Sequence, residues 1–191
     1  MPPISIGLIV EGEDDRLSYE VFFKKIKPEI NIISYPLHGC DKKKLVETFK
    51  ILNKKLRQSS YSSVEKGLII FDCDKKCAPE RAGFIKQSLN LTNMPDNIKI
   101  HATCTELETF FLTCIEDINE IFGEKVKFKK IKNPESIQDP KKYLSKLLNE
   151  KKNITYGKKV VEEIANQIDI CTLKERSKNF NRLYEIVDNL K

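Results

Sequence analysis

The sequence lacks several features that would place it in well-defined classes of protein. No stretch approaches the roughly 18 consecutive apolar residues of a transmembrane helix, so no membrane partner is predicted. The apolar segment 4–10 is short, has no basic residues before it and runs into acidic residues, which disfavours a signal peptide. The chain has no Gly-x-x-x-x-Gly-Lys-Ser/Thr sequence and so no P-loop of its own. Its two histidines, His38 and His101, have no evident serine or cysteine partner for a catalytic triad.

Cysteine is present, but not in a pattern that predicts disulfides or a metal site. The six cysteines, in a sequence without an export signal, are expected to be reduced thiols of a cytoplasmic protein. Cys73, Cys77 and Cys104 are loosely spaced and have no second close pair, which disfavours zinc. Hydrophobic residues make up 40% of the chain, enough for a core. The net charge of +6 favours a polyanionic partner without proving one.

Apolar and amphipathic segments alternate from residue 4 to about residue 115. Strands are predicted over 4–10, 30–37, 67–71 and 98–102. Helices are predicted after Asp14 and ending at Pro28, from Asp41 to about Arg57, and over about 79–89. The first of these helices has an apolar stripe of Leu17, Val21, Phe22 and Ile26. This alternation predicts an α/β fold with a mostly parallel sheet flanked by helices.

The character of the sequence changes after residue 122. Segment 125–132 is basic, segment 133–140 is polar, and Asp139-Pro140 is typical of a helix start. Further helices are predicted over 140–150, 158–168 and 178–190. We therefore predict an α/β domain over 1–122 and an all-helical extension over 123–191 that packs on it. Most of the lysine clusters, including 129–132 and 151–152, are interpreted as solvated surface.

Acidic residues follow three of the predicted strands: Glu11 and Asp15, Asp72 and Asp74, and Glu106 and Glu108. Open parallel sheets carry their sites at the carboxyl ends of the strands, so these acids are expected at one edge. Asp72 and Asp74 lie on the same side of an extended chain, and carboxylates that close repel each other unless a cation lies between them. Such oxygen ligands predict Mg²⁺ or Mn²⁺.

Residues beside these acids suggest how a phosphate would be bound. Gly12 permits a sharp turn and leaves no side chain where a phosphate approaches. Lys75 and Lys76 adjoin the predicted metal site. The same two lysines, together with the position of Asp-x-Asp on the third strand, disfavour a haloacid-dehalogenase phosphatase.

The segment Thr105-Glu106-Leu107-Glu108 has two interpretations. Its acids are candidate metal ligands because they follow the fourth predicted strand. The same residues match a capping box, in which Thr105 is the N-cap and Glu108 accepts from its backbone. Glu106 and Glu108 therefore stay open between a catalytic and a structural role.

Two motifs resemble the Toprim family. Segment 8–15 resembles its Glu-Gly-x-x-Asp signature after a first strand, and segment 69–74 its Asp-x-Asp strand end. The whole chain more closely resembles the Toprim-like domain of unknown function 4276, through the order of these motifs with 106–112, 139–141, 177–183, Tyr156 and Lys158. Thr109-Phe110 replaces an Ala-Trp of that family.

The resemblance implies roles for individual residues. Glu11 would be an acid/base or metal ligand, Asp72 and Asp74 would hold the metal, and Asp15 would support them or hold a second metal. Lys141 and Lys158 are assigned to substrate binding. The implied function is a metal-dependent nuclease or related phosphodiester-cleaving enzyme acting on DNA or RNA. A separate ATPase partner in phage defence is implied by the resemblance only, and the alternative is a non-catalytic subunit that binds nucleic acid or such an ATPase.

Overall fold

Four parallel strands form the sheet of the structure, a computed structural model that describes residues 3–39, 41–57, 64–73, 77–91, 95–121 and 127–190. The strands are β1 (Ser5–Val10), β2 (Asn31–Pro36), β3 (Lys66–Asp72) and β4 (Ile98–Thr103). Their order is β2-β1-β3-β4, with β1 paired to β2 and β3, and β3 paired to β4. The predicted α/β fold with a parallel sheet is confirmed.

Helices connect the strands and make up the C-terminal part. They are α1 (Glu13–Ile26), α2 (Lys42–Leu56), α3 (Ala78–Ser88), α4 (Glu108–Thr113), α5 (Ile118–Ile121), α6 (Pro140–Lys152), α7 (Lys158–Gln167), α8 (Ile170–Arg176) and α9 (Lys178–Asp188), with a 3-10 turn at Pro134–Ser136. The predicted helical C-terminal part is thus confirmed. Helix α8 was not predicted; Asp169 caps it by accepting from the backbone N–H of Thr172 at 2.6 Å.

The start of α1 differs from the prediction. Its N-cap is Gly12 rather than Asp14, and the backbone N–H of Gly12 donates to Oδ2 of Asp15 at 2.8 Å. The most buried face of α1 carries Tyr19 and Phe23 beside Phe22, whereas Leu17 and Val21 are only partly buried. The prediction assumed an even apolar stripe, but the helix turns its large aromatic side chains toward the sheet and the C-terminal helices.

Each face of the sheet has its own apolar core. Helices α2 and α3 cover one face, with Leu45, Phe49, Leu52 and Ile85 among the buried side chains. Helix α1 and the C-terminal helices cover the other. There the ring of Phe180 lies 5.6 Å from that of Phe22 and 5.2 Å from that of Phe110. The helical part therefore shares a core with the sheet.

Some sequence predictions concern parts of the chain outside the described residues. One of them is the boundary at residue 122, which stays a prediction. Within the described residues, no helix is both long and apolar enough to cross a membrane. Among the described cysteines, Cys77, Cys104, Cys114 and Cys171 are free thiols.

Candidate acidic site

The first and third strands bring two of the predicted acids together. Glu11 follows β1 directly, and Asp72 is the last residue of the neighbouring parallel strand β3. Oε1 of Glu11 accepts a hydrogen bond from the backbone N–H of Asp72 at 3.1 Å and another from Nη2 of Arg81 at 2.9 Å. Glu11 and Asp72 therefore lie at the same edge of the sheet, where the sequence placed them.

Asp15 joins this edge from the first turn of α1. Partial burial, together with the nearby charges of Glu108 and Glu11, raises the pKa of Asp15 to about 7, although its hydrogen bond from Gly12 acts in the opposite direction. Removal from water and then the charges of Asp15 and Glu11 raise the pKa of Asp72 well above its usual range. The shifts show that the carboxyls are close enough to repel one another.

Glu108 approaches the same group of acids from the start of α4. It is only 3% exposed, and its Oε1 accepts a hydrogen bond from the hydroxyl of Tyr156 at 2.7 Å. Burial raises the pKa of Glu108, although this hydrogen bond and the charge of Lys141 act to lower it. Burial, and then the charge of Glu108, raise the pKa of Tyr156, so its phenol remains the proton donor.

The predicted capping box at 105–108 is wrong. The N-cap of α4 is Leu107, with no side-chain hydrogen bond, and Thr105 has a φ of +63°. A β-branched residue rarely adopts this left-handed conformation, which costs free energy that surrounding contacts must offset. One such contact is between Glu106 and the start of α6, where Oε2 of Glu106 accepts from the backbone N–H of Lys141 at 3.0 Å. Glu106 thus ties two segments together, while Glu108 faces the acids.

Two basic side chains lie among the acids. Arg81 of α3 is 7% exposed and binds Glu11, with its guanidinium 5.7 Å from the centre of the Phe71 ring. Lys141 is half exposed, and its Nζ lies 2.9 Å from Oδ2 of Asp14 and 3.6 Å from Oε1 of Glu108. Among the described residues of the site, acids therefore outnumber the cations that contact them.

The other predicted substrate-binding residues have different outcomes. Gly12 is the N-cap of α1, beside Asp15. Lys158 is exposed at the start of α7, where its charge assists the hydrogen bond of Arg16 in lowering the pKa of Glu13. Asp74, Lys75 and Lys76 lie outside the described residues.

Sequence reasoning singled out neither Arg81 nor Tyr19. The hydroxyl of Tyr19 is hydrogen-bonded to that of Thr103 at 2.7 Å, beneath the acids, and burial followed by the charge of Asp72 raises its pKa. A signal for Arg81 existed only in its position, since it lies in the first turn of the helix that follows the Asp-x-Asp strand.

The acids offer oxygen donors of the kind that Mg²⁺ and Mn²⁺ prefer. As their side chains stand, no three histidine, cysteine, aspartate or glutamate residues in the described part of the chain are arranged to hold a metal ion. Asp74, which the sequence pairs with Asp72, is not among those residues.

The fold and site define an α/β protein with a carboxylate cluster at the carboxyl edge of a parallel sheet. The chain belongs to the family described as a domain of unknown function (DUF4276), whose model matches residues 19–188. The matched range includes Asp72, Glu108 and Lys141 but begins after Glu11 and Asp15. Neither the curated proteins nor the solved structures gave a match.

Proposed function

We propose that the chain is a metal-dependent phosphodiester-cleaving enzyme of the Toprim type that acts on nucleic acid. One observation carries the proposal: the carboxyls of Glu11, Asp15, Asp72 and Glu108 meet at the carboxyl edge of the sheet. This is the edge at which parallel α/β sheets carry their sites. The order of the Glu-Gly-x-x-Asp and Asp-x-Asp motifs supports the Toprim class.

The charge of the site fits a divalent cation. Arg81 and Lys141 contact Glu11, Asp14 and Glu108, yet the pKa values of Asp15, Asp72 and Glu108 remain raised, in part because carboxylates neighbour one another. A divalent ion would offset this negative charge. Glu11, Asp72 and Asp74 would hold it, and it would supply charge stabilisation to the phosphate oxygens of the substrate.

The surrounding residues would position the acids and the substrate. Arg81 fixes the carboxyl of Glu11, and Tyr156 fixes that of Glu108. Lys141 is exposed enough to exchange its contact with Asp14 for a substrate phosphate. Among the described residues, only the Asp15 carboxylate lies near the position of a Cβ added at Gly12, at 3.4 Å, which leaves room between them beside the start of α1. A cytoplasmic location, expected from the cysteine content, belongs to the same proposal. An ATPase partner and a role in phage defence belong to it on resemblance alone.

A second candidate is a non-catalytic subunit that binds nucleic acid or an ATPase. The specific observation in its favour is that Arg81 and Lys141 already pair with acids of the site. In that case the acids would stabilise the protein through these ion pairs, and no metal would be needed.

The test is nucleic-acid cleavage in the presence of Mg²⁺ or Mn²⁺ by the wild type and by Asp72→Asn. We expect cleavage that EDTA abolishes and that Asp72→Asn reduces by roughly 100-fold, because disturbing a metal site typically costs 10- to 100-fold in affinity or activity. Glu47→Gln, at an exposed acid on α2, is the matched control and should cleave as the wild type does. Equal cleavage by wild type and Asp72→Asn would contradict the enzyme. Nucleic-acid binding without metal uptake in calorimetry would support the second candidate.

A further inference from the structure

A second site lies away from the acids, where an irregular basic segment is held in place. At 127–131 the exposed side chains of Lys127 and Lys129 flank Phe128, which is 4% exposed. The backbone of Phe128 is bound on both sides by Asn119: its N–H donates to Oδ1 at 2.5 Å, and its carbonyl accepts from Nδ2 at 3.1 Å. The two exposed lysines therefore flank a residue whose backbone is held in place by hydrogen bonds.

Helix α6 supplies the facing wall. Tyr143 is 41% exposed, and the Nζ atoms of Lys151 and Lys152 lie 6.0 Å and 5.5 Å from the centre of the Phe128 ring. Between the segment and the helix is a cavity of about 360 Å³, which we call the lysine cavity, lined by Ile115, Lys127, Phe128, Lys129, Lys130, Ile131, Tyr143, Leu147 and Lys151.

The lysine cavity gathers charge of one sign. Four of its described lining residues are lysines, and none of those residues is acidic. Like charges in a concave surface repel each other and raise the local concentration of anions. Lys129, Lys130 and Lys151 are exposed, as predicted for solvated surface, and they also line two sides of one cavity with an apolar floor. Among the described lining residues, the exposed Tyr143 offers a ring face beside the positive charges.

We propose that the lysine cavity binds the backbone of a single-stranded nucleic acid, with the phosphates on Lys127, Lys129, Lys130 and Lys151 and a base stacked on Tyr143. A positively charged groove combined with an aromatic ring is the general means of binding single strands without sequence preference. The ligand class is that of the proposed function, but the binding does not require metal or cleavage.

Helix α6 links the lysine cavity to the acidic site. Lys141 is at its start, with its backbone bound to Glu106, and Lys151 is ten residues further along. At 1.5 Å per residue the separation along the helix is about 15 Å. Because ten residues are not a whole number of turns at about 3.6 residues per turn, Lys141 and Lys151 lie on different faces of the helix. A single strand that passes partly around α6 as well as along it would connect the lysine cavity with the acids.

The experiment measures binding in EDTA, so that cleavage plays no part. Fluorescence anisotropy follows a labelled single-stranded oligonucleotide of about 12 nucleotides, a length within typical site sizes. Salt is varied from about 50 to 200 mM. The test variant is Lys129→Gln/Lys130→Gln/Lys151→Gln. The charge-matched control is Lys50→Gln/Lys54→Gln/Arg57→Gln, which alters the side chains of a basic cavity at the end of α2 with no aromatic residue among its described lining residues.

We expect the test variant to bind at least tenfold more weakly and its salt slope to fall by about 2, since each lost phosphate contact removes about 0.7 from the slope for single strands. Tyr143→Ala should weaken binding roughly tenfold and leave the slope unchanged, because stacking is not ionic. The control triple should bind as the wild type does. Equal losses in both triples, or no loss in the test triple, would overturn the proposal. An unaffected Tyr143→Ala would overturn the stacked base and the preference for single strands.

The result also separates this inference from the proposed function. If the protein binds through the lysine cavity but cleaves nothing, the lysine cavity is supported as a binding site and the proposed enzyme is contradicted. If the protein cleaves nucleic acid while both triple variants behave alike, the enzyme is supported and the lysine cavity is contradicted. Unchanged thermal melting of the variants serves as the check that the substitutions, all at exposed lysines or arginines apart from Tyr143, leave the fold intact.

Discussion

Replacing Asp15 by asparagine should make the metal-free protein more stable at neutral pH. The carboxylate of Asp15 lies near those of Glu108 and Glu11, and its Oδ2 accepts from the backbone N–H of Gly12. Asparagine keeps an oxygen acceptor for Gly12 and removes the charge. The substitution thus removes the cost of burying a negative charge and of placing it among other negative charges.

The size of the effect follows from the pKa of Asp15, which rises from 3.8 to about 7, first through burial and then through the charge of Glu108. A rise of about 3 pKa units at 1.36 kcal/mol each corresponds to roughly 4 kcal/mol, as an upper bound. The folded state holds the proton more tightly than the unfolded state does, so stability falls as pH rises from about 4 to about 7. Ionisation of Asp15 should destabilise the folded wild type by nearly the full amount at pH 8 and by about 1 kcal/mol at pH 4.5.

The assay is urea unfolding of wild type and Asp15→Asn in EDTA at both pH values, with Glu47→Gln as the control for loss of an exposed charge. The difference between the free energies of unfolding should be several times larger at pH 8 than at pH 4.5. If the difference in free energy of unfolding is the same at the two pH values, the inference that burial and neighbouring carboxylates raise the pKa of Asp15 is refuted. Millimolar Mn²⁺ at pH 8 should stabilise wild type by binding the folded state. It should therefore reduce the difference in free energy of unfolding between Asp15→Asn and wild type.

Two further predictions concern groups outside the acidic site. Burial lowers the pKa of His101 to about 4, against the opposing effect of its hydrogen bond to Asn179. An imidazole NMR signal absent from His101→Gln should therefore titrate near pH 4, and the stability contributed by the neutral ring should be lost as pH falls from about 6.5 through 4; a midpoint near 6.5 would contradict this. Phe180→Ala should cost about 3–5 kcal/mol in urea unfolding, because the ring is fully buried between Phe22 and Phe110. Ile51→Ala, at a side chain that is 52% exposed, should cost much less, and equal costs would argue against the packing.

The sheet and its edge could be predicted because their signals are local. Each central strand is an apolar segment that is buried on both faces, and Glu11 and Asp72 come directly after or at the end of such segments. Once the strands are parallel and β1 and β3 are neighbours, those two acids must lie at one edge. Local pattern and overall fold agree here, so a short stretch of sequence is sufficient to predict where these two acids lie.

The roles of Glu106, Glu108 and Tyr156 could not be predicted in the same way. Tyr156 is 48 residues from Glu108, and Lys141 is 35 residues from Glu106, so no local pattern contains these pairs. The capping box failed for the same reason. The contact of Glu106 with the start of α6 belongs to a loop in which Thr105 is left-handed, and this tertiary arrangement replaced the local hydrogen bonds that the motif would have made.

The cations of the acidic site explain why its acids alone do not decide between catalysis and binding. A group of carboxylates is compatible with either function, because a protein can pair each acid with an internal arginine or lysine. Arg81 and Lys141 do so for Glu11, Asp14 and Glu108. What distinguishes the two functions is the negative charge that remains. Burial first, and then neighbouring carboxylates, raise the pKa values of both Asp15 and Asp72, so within the described residues the cations do not offset the effect of these neighbours. These two acids lie at the sheet edge that carries Asp72, where we propose that a divalent ion would bind.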